Sequence, residues 1–195
     1  MSKATSLGEQ SLWEQFKEGD SFSFDNLYRN YSSMLYAYGI KIIPEPSIVE
    51  DVIHDLFVEL WQRKTQLPTP ENIKFYLLRA LRNKLFKVLN KRTDLSIDDQ
   101  QAFPLEISQE AMIIQEENHR QLHRELQNGL NQLTKRQREI LYLKFNEDMS
   151  YQEIANVTQM NYQSVVNTIY RAIQTLRSQV KLPTAILLLL LSQLH

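Results

Sequence analysis

The chain of 195 residues has no cysteine. That excludes disulfides, thiolate chemistry and Cys-ligated zinc, and it fits a reducing compartment. Glycine is scarce, at 4 residues, and no Gly-rich phosphate loop is present. No stretch alternates apolar and polar residues with turn punctuation, so β-sheet is not expected. No apolar run reaches the roughly 20 residues that span a bilayer. The opening residues, MSKATSLGEQSLWEQF, carry no apolar core of signal-peptide length, and a cytoplasmic protein is expected. Neither paired catalytic acids nor a nucleophile–base pair can be found, which argues against an enzyme. His54 beside Asp51 and Asp55 is too sparse a set for a metal site. No cofactor, metal or small-molecule substrate is expected.

What is abundant is Leu, Ile, Gln and Arg, a composition that favours helix. The fold class expected is all-α, with two small helical domains joined by an acidic linker. The formal net charge of -1 conceals a segregation along the chain. Residues 1–92 hold 13 Lys/Arg against 11 Asp/Glu, and residues 118–195 hold nine bases against five acids. Between them, residues 93–117 hold seven acids (Asp94, Asp98, Asp99, Glu106, Glu110, Glu116 and Glu117) and no base. Two mildly basic blocks therefore flank an acidic connector.

Residues 10–92 read as one helical unit. A first helix covers about 11–18, and Asp20 or Ser21 can cap a second helix that runs to Ile43. Pro44 and Pro46 break the pattern, and Ser47 is placed to cap the next helix. The sequence LPTPEN makes a second break, where Thr69 before Pro70 has the form of a cap followed by Pro at the first helical position. The segment NIKFYLLRALRNKLFKVLNKR forms the last helix of the block. Residues 118–180 form a second unit of three or four helices. The tail 181–195 contains the apolar run Ile186–Leu191, suited to packing on a neighbouring domain, with a partner-binding or membrane-touching segment as the alternative.

Three helices carry functional patterning. In SYQEIANVTQMNYQSVVNTIYRAIQTLR, a short helix over 151–158 is followed by a turn and a longer amphipathic helix. At about 100° per residue, Val165, Ile169, Ala172, Ile173 and Leu176 share one side of the longer helix. Gln163, Asn167, Arg171 and Gln174 lie opposite, with Ser164 nearby. Gln and Asn can bond bidentately to adenine edges, Arg to guanine, and Ser to phosphate or base. Upstream, Thr134 can cap a helix whose first turns hold Lys135, Arg136 and Arg138, a start suited to phosphate. A solvated helix surface is the plain alternative for any one such face.

The second pattern lies in residues 73–92, which contain Lys74, Arg79, Arg82, Lys84, Lys87, Lys91 and Arg92 and no acid. One side buries leucines and the other can hold a polyanion. Phe75 and Tyr76 can stack on unpaired bases, or else belong to the core. The third pattern is VEDVIHDLFVELW. Val52, Ile53, Leu56, Phe57 and Leu60 form its core side, while Asp51, Asp55 and Glu59, with Val58 among them, face outward. An acidic face holding an aliphatic residue suits docking onto a basic protein helix pair.

These segments, in this order over about residues 20–180, resemble a bacterial RNA polymerase sigma factor of the extracytoplasmic-function (ECF) group. FDNLYRNYSSMLYAYG, VEDVIHDLFVELW and FYLLRALRNKLFKVLNK resemble the family's region two, and LTKRQREILYLKF with SYQEIANVTQMNYQSVVNTIYRAIQTLR resembles region four. The resemblance implies that Asp51, Asp55, Val58 and Glu59 dock on the clamp coiled coil of core RNA polymerase, with the polymerase flap as a further contact. It implies that the LPTPEN loop and the helix after it melt and hold the −10 element, through Asn72, Lys74, Phe75, Tyr76, Arg79, Arg82, Lys84 and Lys87. It implies −35 recognition by Lys135, Arg136, Arg138, Gln163, Ser164, Asn167 and Arg171. A membrane-anchored anti-sigma factor is the implied inhibitor. Two departures stand out. Gln159 occupies a turn position where many members have Gly, and Val166 and Thr168 stand where many have Lys and Arg. A stand-alone helix-turn-helix regulator or a helical interaction module remain the competing readings. Neither uses the basic helix at 73–92 together with the acidic helix before it.

Overall fold

The computed structural model describes residues 3–91, 103–105 and 117–179. Among the described residues every regular element is helical. None of these helices is long and apolar enough to cross a membrane. The chain divides into two compact units, Met1–Leu95 and Ser96–His195.

The first unit contains α1 (Lys3–Lys17), α2 (Ser21–Ile42), α3 (Pro46–Arg63), a 3-10 turn (Lys64–Gln66) and α4 (Ile73–Lys91). α1 starts well before the expected residue 11. It ends at Gly19, whose φ of 99° only glycine adopts easily. The Gly19 N–H bonds to the Phe16 carbonyl and the Asp20 N–H to the Gln15 carbonyl, the double bond pattern of a Schellman stop. Asp20 then caps α2 by accepting from the Ser23 N–H at 2.8 Å. One dipeptide thus stops a helix and starts the next.

The other two expected caps fall elsewhere. α3 begins with Pro46 at its first turn after Glu45, and Ser47 lies inside the helix. Proline fills this position well because it has no N–H to satisfy. α4 is capped by Asn72, whose Oδ1 accepts from the Phe75 N–H at 3.1 Å. Thr69 caps nothing, because its hydroxyl is bonded to α1 instead.

The core of this unit contains all five apolar residues expected from α3, together with Leu77, Leu78, Leu81 and Leu85 of α4. Val88 and Leu89 are only half-buried. The helix ends are joined by a chain of rings. Trp13 lies edge-on to both Tyr76 and Phe16, at 5.5 and 5.3 Å, and Phe16 stacks on Phe24 at 5.8 Å. Phe24 in turn meets Trp61 at 5.0 Å and Phe57 at 6.0 Å. Trp13 and Phe16 are wholly buried.

The second unit contains α5 (Glu117–Gln132), α6 (Lys135–Phe145), α7 (Tyr151–Thr158) and α8 (Tyr162–Gln179). α6 is central. Its consecutive residues Arg138–Leu143 are all buried, as expected of a helix covered on every side. Thr134 and Ser150 each begin a capping box, completed by Gln137 and Glu153. Val165, Ile169, Ala172 and Leu176 of α8 are buried as the sequence predicts, while Ile173 is half-buried.

The expected linker is partly built into this unit. Phe103 and Leu105 are buried, Phe103 lies edge-on to Tyr142 at 5.7 Å, and Gln127 donates to the Leu105 carbonyl at 2.9 Å. Aromatic and aliphatic residues inside an acidic stretch were the available sign of this anchor. The remaining linker residues 93–102 and 106–116, and the tail 181–195, lie outside the described residues.

Two tight positions give stability predictions. A Cβ on Gly39 would meet Val49 Cγ1 at 2.6 Å where α2 crosses α3. Gly39→Ala should cost on the order of 1–3 kcal/mol in denaturant unfolding. Combined with Val49→Ala, the loss should be smaller than the sum of the single losses, because the two changes share one contact. The α7–α8 turn sets the second position, since Gln159 adopts φ 58°, ψ 34°. Gln159→Val should lower the stability of the unit by about 1–2 kcal/mol, while Gln159→Gly should keep or raise it. Thermal melts of both variants check this.

Candidate nucleic-acid interface

The second unit presents its helices as a helix-turn-helix. α7 ends in the left-handed residue Gln159, and the Met160 N–H returns to the Ala155 carbonyl at 3.1 Å. Asn161 then caps α8 by accepting from the Ser164 N–H at 2.7 Å. Ala155 is buried and small, which keeps α7 close to its neighbours. The chain therefore turns through Gln159, Met160 and Asn161, and α8 begins at a fixed place.

Gln163, Asn167 and Arg171 are exposed on α8, and Ser164 is half-exposed. Gln163 Nε2 donates to Asn167 Oδ1 at 3.1 Å, so the two amides hold each other in one orientation. The sequence reading missed two members of this surface. Tyr170 is 63% exposed and Tyr162 50% exposed. At 100° per residue, Tyr170 lies within about 60° of Gln163, Asn167 and Gln174, and that angle was the available signal.

At the start of α6, Lys135 is half-exposed and Arg136 is exposed, and they line an open depression of about 670 Å³ with Thr134 and Asn131. Arg136 pairs with Glu139 at 3.5 Å. Arg138 lines the same depression but is only 5% exposed, and burial lowers its pKa. It sits on the central helix, which explains why a basic residue expected to face DNA is largely covered.

In the first unit, Arg79 and Lys87 are exposed on α4, and Lys74, Phe75 and Tyr76 are half-buried. Asn72 is exposed, but its side-chain oxygen is used in capping. Arg82 departs from expectation. It is 6% exposed, with its guanidinium 4.3 Å from the Phe86 ring. On the helical wheel it lies about 40–60° from Leu78 and Leu85, on the border of the buried side. It is thus poorly placed to meet a polyanion.

On α3, Asp51, Asp55 and Val58 are exposed on one stripe. Glu59 is rotated about 80° from Asp51, toward α4. Its carboxylate meets Lys84 at 2.7 Å and Arg63 at 3.0 Å. Two residues expected to serve different partners, Glu59 and Lys84, therefore bind each other. They border a cavity of about 180 Å³ together with Arg63, Tyr76, Asn83 and Lys87. Tyr28 of α2 is also exposed, and it packs edge-on against Phe57 of α3 at 4.9 Å.

The known proteins agree with this geometry. Residues 123–176 match the family model for Sigma-70, region 4. The match spans α6 and α7 and most of α5 and α8. Over 173 residues the chain is 22% identical to the ECF RNA polymerase sigma factor SigX of Bacillus subtilis (strain 168), covering 82% of this chain and 84% of that one. Two solved structures share the fold. One is CnrH in complex with the cytosolic domain of CnrY, with a TM-score of 0.57 and 22% identity, covering 87% of this chain and 95% of that one. The other is the sigma factor RpoE in complex with the anti-sigma factor NepR from Bartonella quintana, with a TM-score of 0.55 and 21% identity, covering 82% and 97%. The family match and the sequence relative make the chain similar to the sigma factors of the ECF group.

The ion pair between α3 and α4 has a pH signature. Hydrogen bonding to Lys84, then to Arg63, holds the Glu59 carboxyl below the ordinary value of 4.5. A depressed carboxylate stabilises the fold above its unfolded pKa and loses that effect as pH falls through the folded pKa. The melting temperature of Glu59→Gln should therefore lie below that of the wild type at pH 7. The gap should close in acid below pH 4.5, and it should shrink with salt at pH 7.

Proposed function

We propose that the chain binds core RNA polymerase and directs it to promoters. In this reading α8 recognises the −35 element, and α4 with the loop before it holds the opened −10 element. One observation carries the proposal: α8 presents Gln163, Asn167 and Arg171 to solvent from a capped helix-turn-helix, inside the segment that matches Sigma-70 region 4. The amide pair suits adenine and the guanidinium suits guanine, while Lys135 and Arg136 at the start of α6 suit phosphate.

The exposed cations Arg79 and Lys87 would follow the −10 strand, with Phe75 and Tyr76 near enough to the surface to stack on bases. Asp51, Asp55 and Val58 would dock on the polymerase clamp, with the flap as a second contact. Buried Arg82 and Arg138 and the paired Glu59 are better suited to holding these surfaces in place. The protein would work in the cytoplasm. A membrane-anchored anti-sigma factor is proposed as its inhibitor, a partner class supported by the complex of the structurally similar RpoE with NepR.

The test is assembly with core polymerase, followed by transcription from promoters selected from a randomised library. A stable complex and start-site-specific transcripts are expected. Gln163→Ala, Asn167→Ala and Arg171→Ala should each relax preference at particular −35 positions, by about 1–3 kcal/mol per contacted base pair. Lys135→Ala and Arg136→Ala should weaken all promoters alike and reduce the salt dependence. Salt-sensitive duplex binding by the chain alone, without a polymerase complex, would instead indicate a stand-alone regulator.

A further inference from the structure

The loop between the 3-10 turn and α4 has little structure of its own. Among the described residues, no backbone–backbone hydrogen bond involves residues 68–71. Pro68 and Pro70 restrict the chain locally. The remaining restraint comes from α1. The Trp13 indole Nε1 donates to the Pro68 carbonyl at 3.1 Å. Lys17 Nζ donates to the Thr69 hydroxyl at 3.1 Å, and that hydroxyl donates to the Glu14 carboxylate. Lys17 and Glu14 close the set with an ion pair at 3.4 Å. The loop is therefore tied at two successive residues by three side chains from one turn and a quarter of α1. Trp13 also supports Tyr76 edge-on at 5.5 Å, beside the cavity between α3 and α4.

Packing alone does not require this arrangement. Thr69 is exposed, so its hydroxyl could be solvated without cost, and Lys17 could do the same. The donor–acceptor chain instead holds an exposed loop in one shape. A loop ordered before binding avoids paying that entropy when its ligand arrives.

We propose that α1 is a latch: Trp13, Glu14 and Lys17 act as positioning residues that hold Pro68 and Thr69 in the shape that receives an unpaired −10 strand. The inference rests on the proposed −10 role of the loop and α4. It adds that strand capture depends on a helix that does not itself meet the strand.

The experiment uses the full chain assembled with core polymerase. The probe is a fluorescent single-stranded oligonucleotide carrying the non-template −10 region of a promoter selected by that holoenzyme. Thr69→Val removes the hydroxyl at constant volume, and Trp13→Phe removes the indole donor. Each should weaken single-strand binding by about tenfold, the scale of one lost hydrogen bond in a restrained loop. Affinity for core polymerase and binding of a −35 duplex should not change. Thr69→Ser, which restores a hydroxyl, should recover single-strand binding. Thr69→Val keeps the test decisive where Trp13→Phe lowers the melting temperature.

The double variant Arg79→Ala/Lys87→Ala separates the two levels of the argument. If it weakens single-strand binding while Thr69→Val and Trp13→Phe do not, the latch is overturned and the −10 reading stands. If none of the variants changes single-strand binding, the −10 reading fails and takes the latch with it. Equal loss of core-polymerase affinity in Thr69→Val would also overturn the latch, because it would mark a general structural role.

Discussion

The ends of the helices are the constraint on which the molecule depends. Each helix leaves four backbone N–H groups without partners at its start, and burial or exposure of those groups must be resolved by nearby side chains. Here Asp20, Asn72, Thr134, Ser150 and Asn161 perform that task. Two of these caps also fix where a candidate surface begins. Asn161 sets the first residue of α8, and so decides which of its side chains face outward. Asn72 sets the start of α4, which releases Thr69 to bond with α1. A cap contributes only about 1 kcal/mol, but its position determines the register of everything after it.

The ring chain from Tyr76 through Trp13, Phe16 and Phe24 to Trp61 and Phe57 has a related effect in the first unit. It joins α1 to α2, α3 and α4 by stacked, tilted and edge-on contacts, which are directional as well as apolar. The indole N–H of Trp13 remains available at the rim of this cluster, where it reaches the Pro68 carbonyl. The aromatic core and the loop that borders α4 are therefore parts of one arrangement. α1 is not an appendage to the unit, since two of its large side chains are wholly buried within it.

Much of this was legible in the sequence. Helical period alone identified the buried faces of α3 and most of α8, because their apolar residues recur without competing signals. The cap at Thr134 was legible as a single strong candidate, and the start of α2 was narrowed to the neighbours Asp20 and Ser21, of which Asp20 is the cap. The misses occurred where two candidates competed or where the deciding partner is distant in sequence. Thr69 and Asn72 both have capping side chains, and the choice is made by Glu14 and Lys17, more than fifty residues away. Arg82 and Arg138 were counted with the basic faces because charge is a poor guide to burial at the margin of a helix. Arg82 can spread its guanidinium on Phe86, and Arg138 belongs to a helix surrounded on all sides. Acidic composition concealed the Phe103–Leu105 anchor, since seven carboxylates dominate the stretch while two apolar side chains decide its packing.

The pairing of Glu59 with Lys84 shows how charge pattern and charge function separate. Along the sequence, one residue belongs to an acidic face and the other to a basic face, each expected to meet a different partner. In the fold each satisfies the other across α3 and α4, with Arg63 adding a second contact to the carboxylate. What remains outward is a smaller and sharper set: Asp51, Asp55 and Val58 on α3, and Arg79 and Lys87 on α4. The internal pair stabilises the fold little at its exposed position. Its effect is to turn Glu59 and Lys84 toward each other where α3 and α4 meet, which leaves the acidic stripe and the exposed cations on separate faces. Under the proposed function, in which adjacent helices hold a protein partner and a polyanion, that separation keeps like charges apart at both contacts.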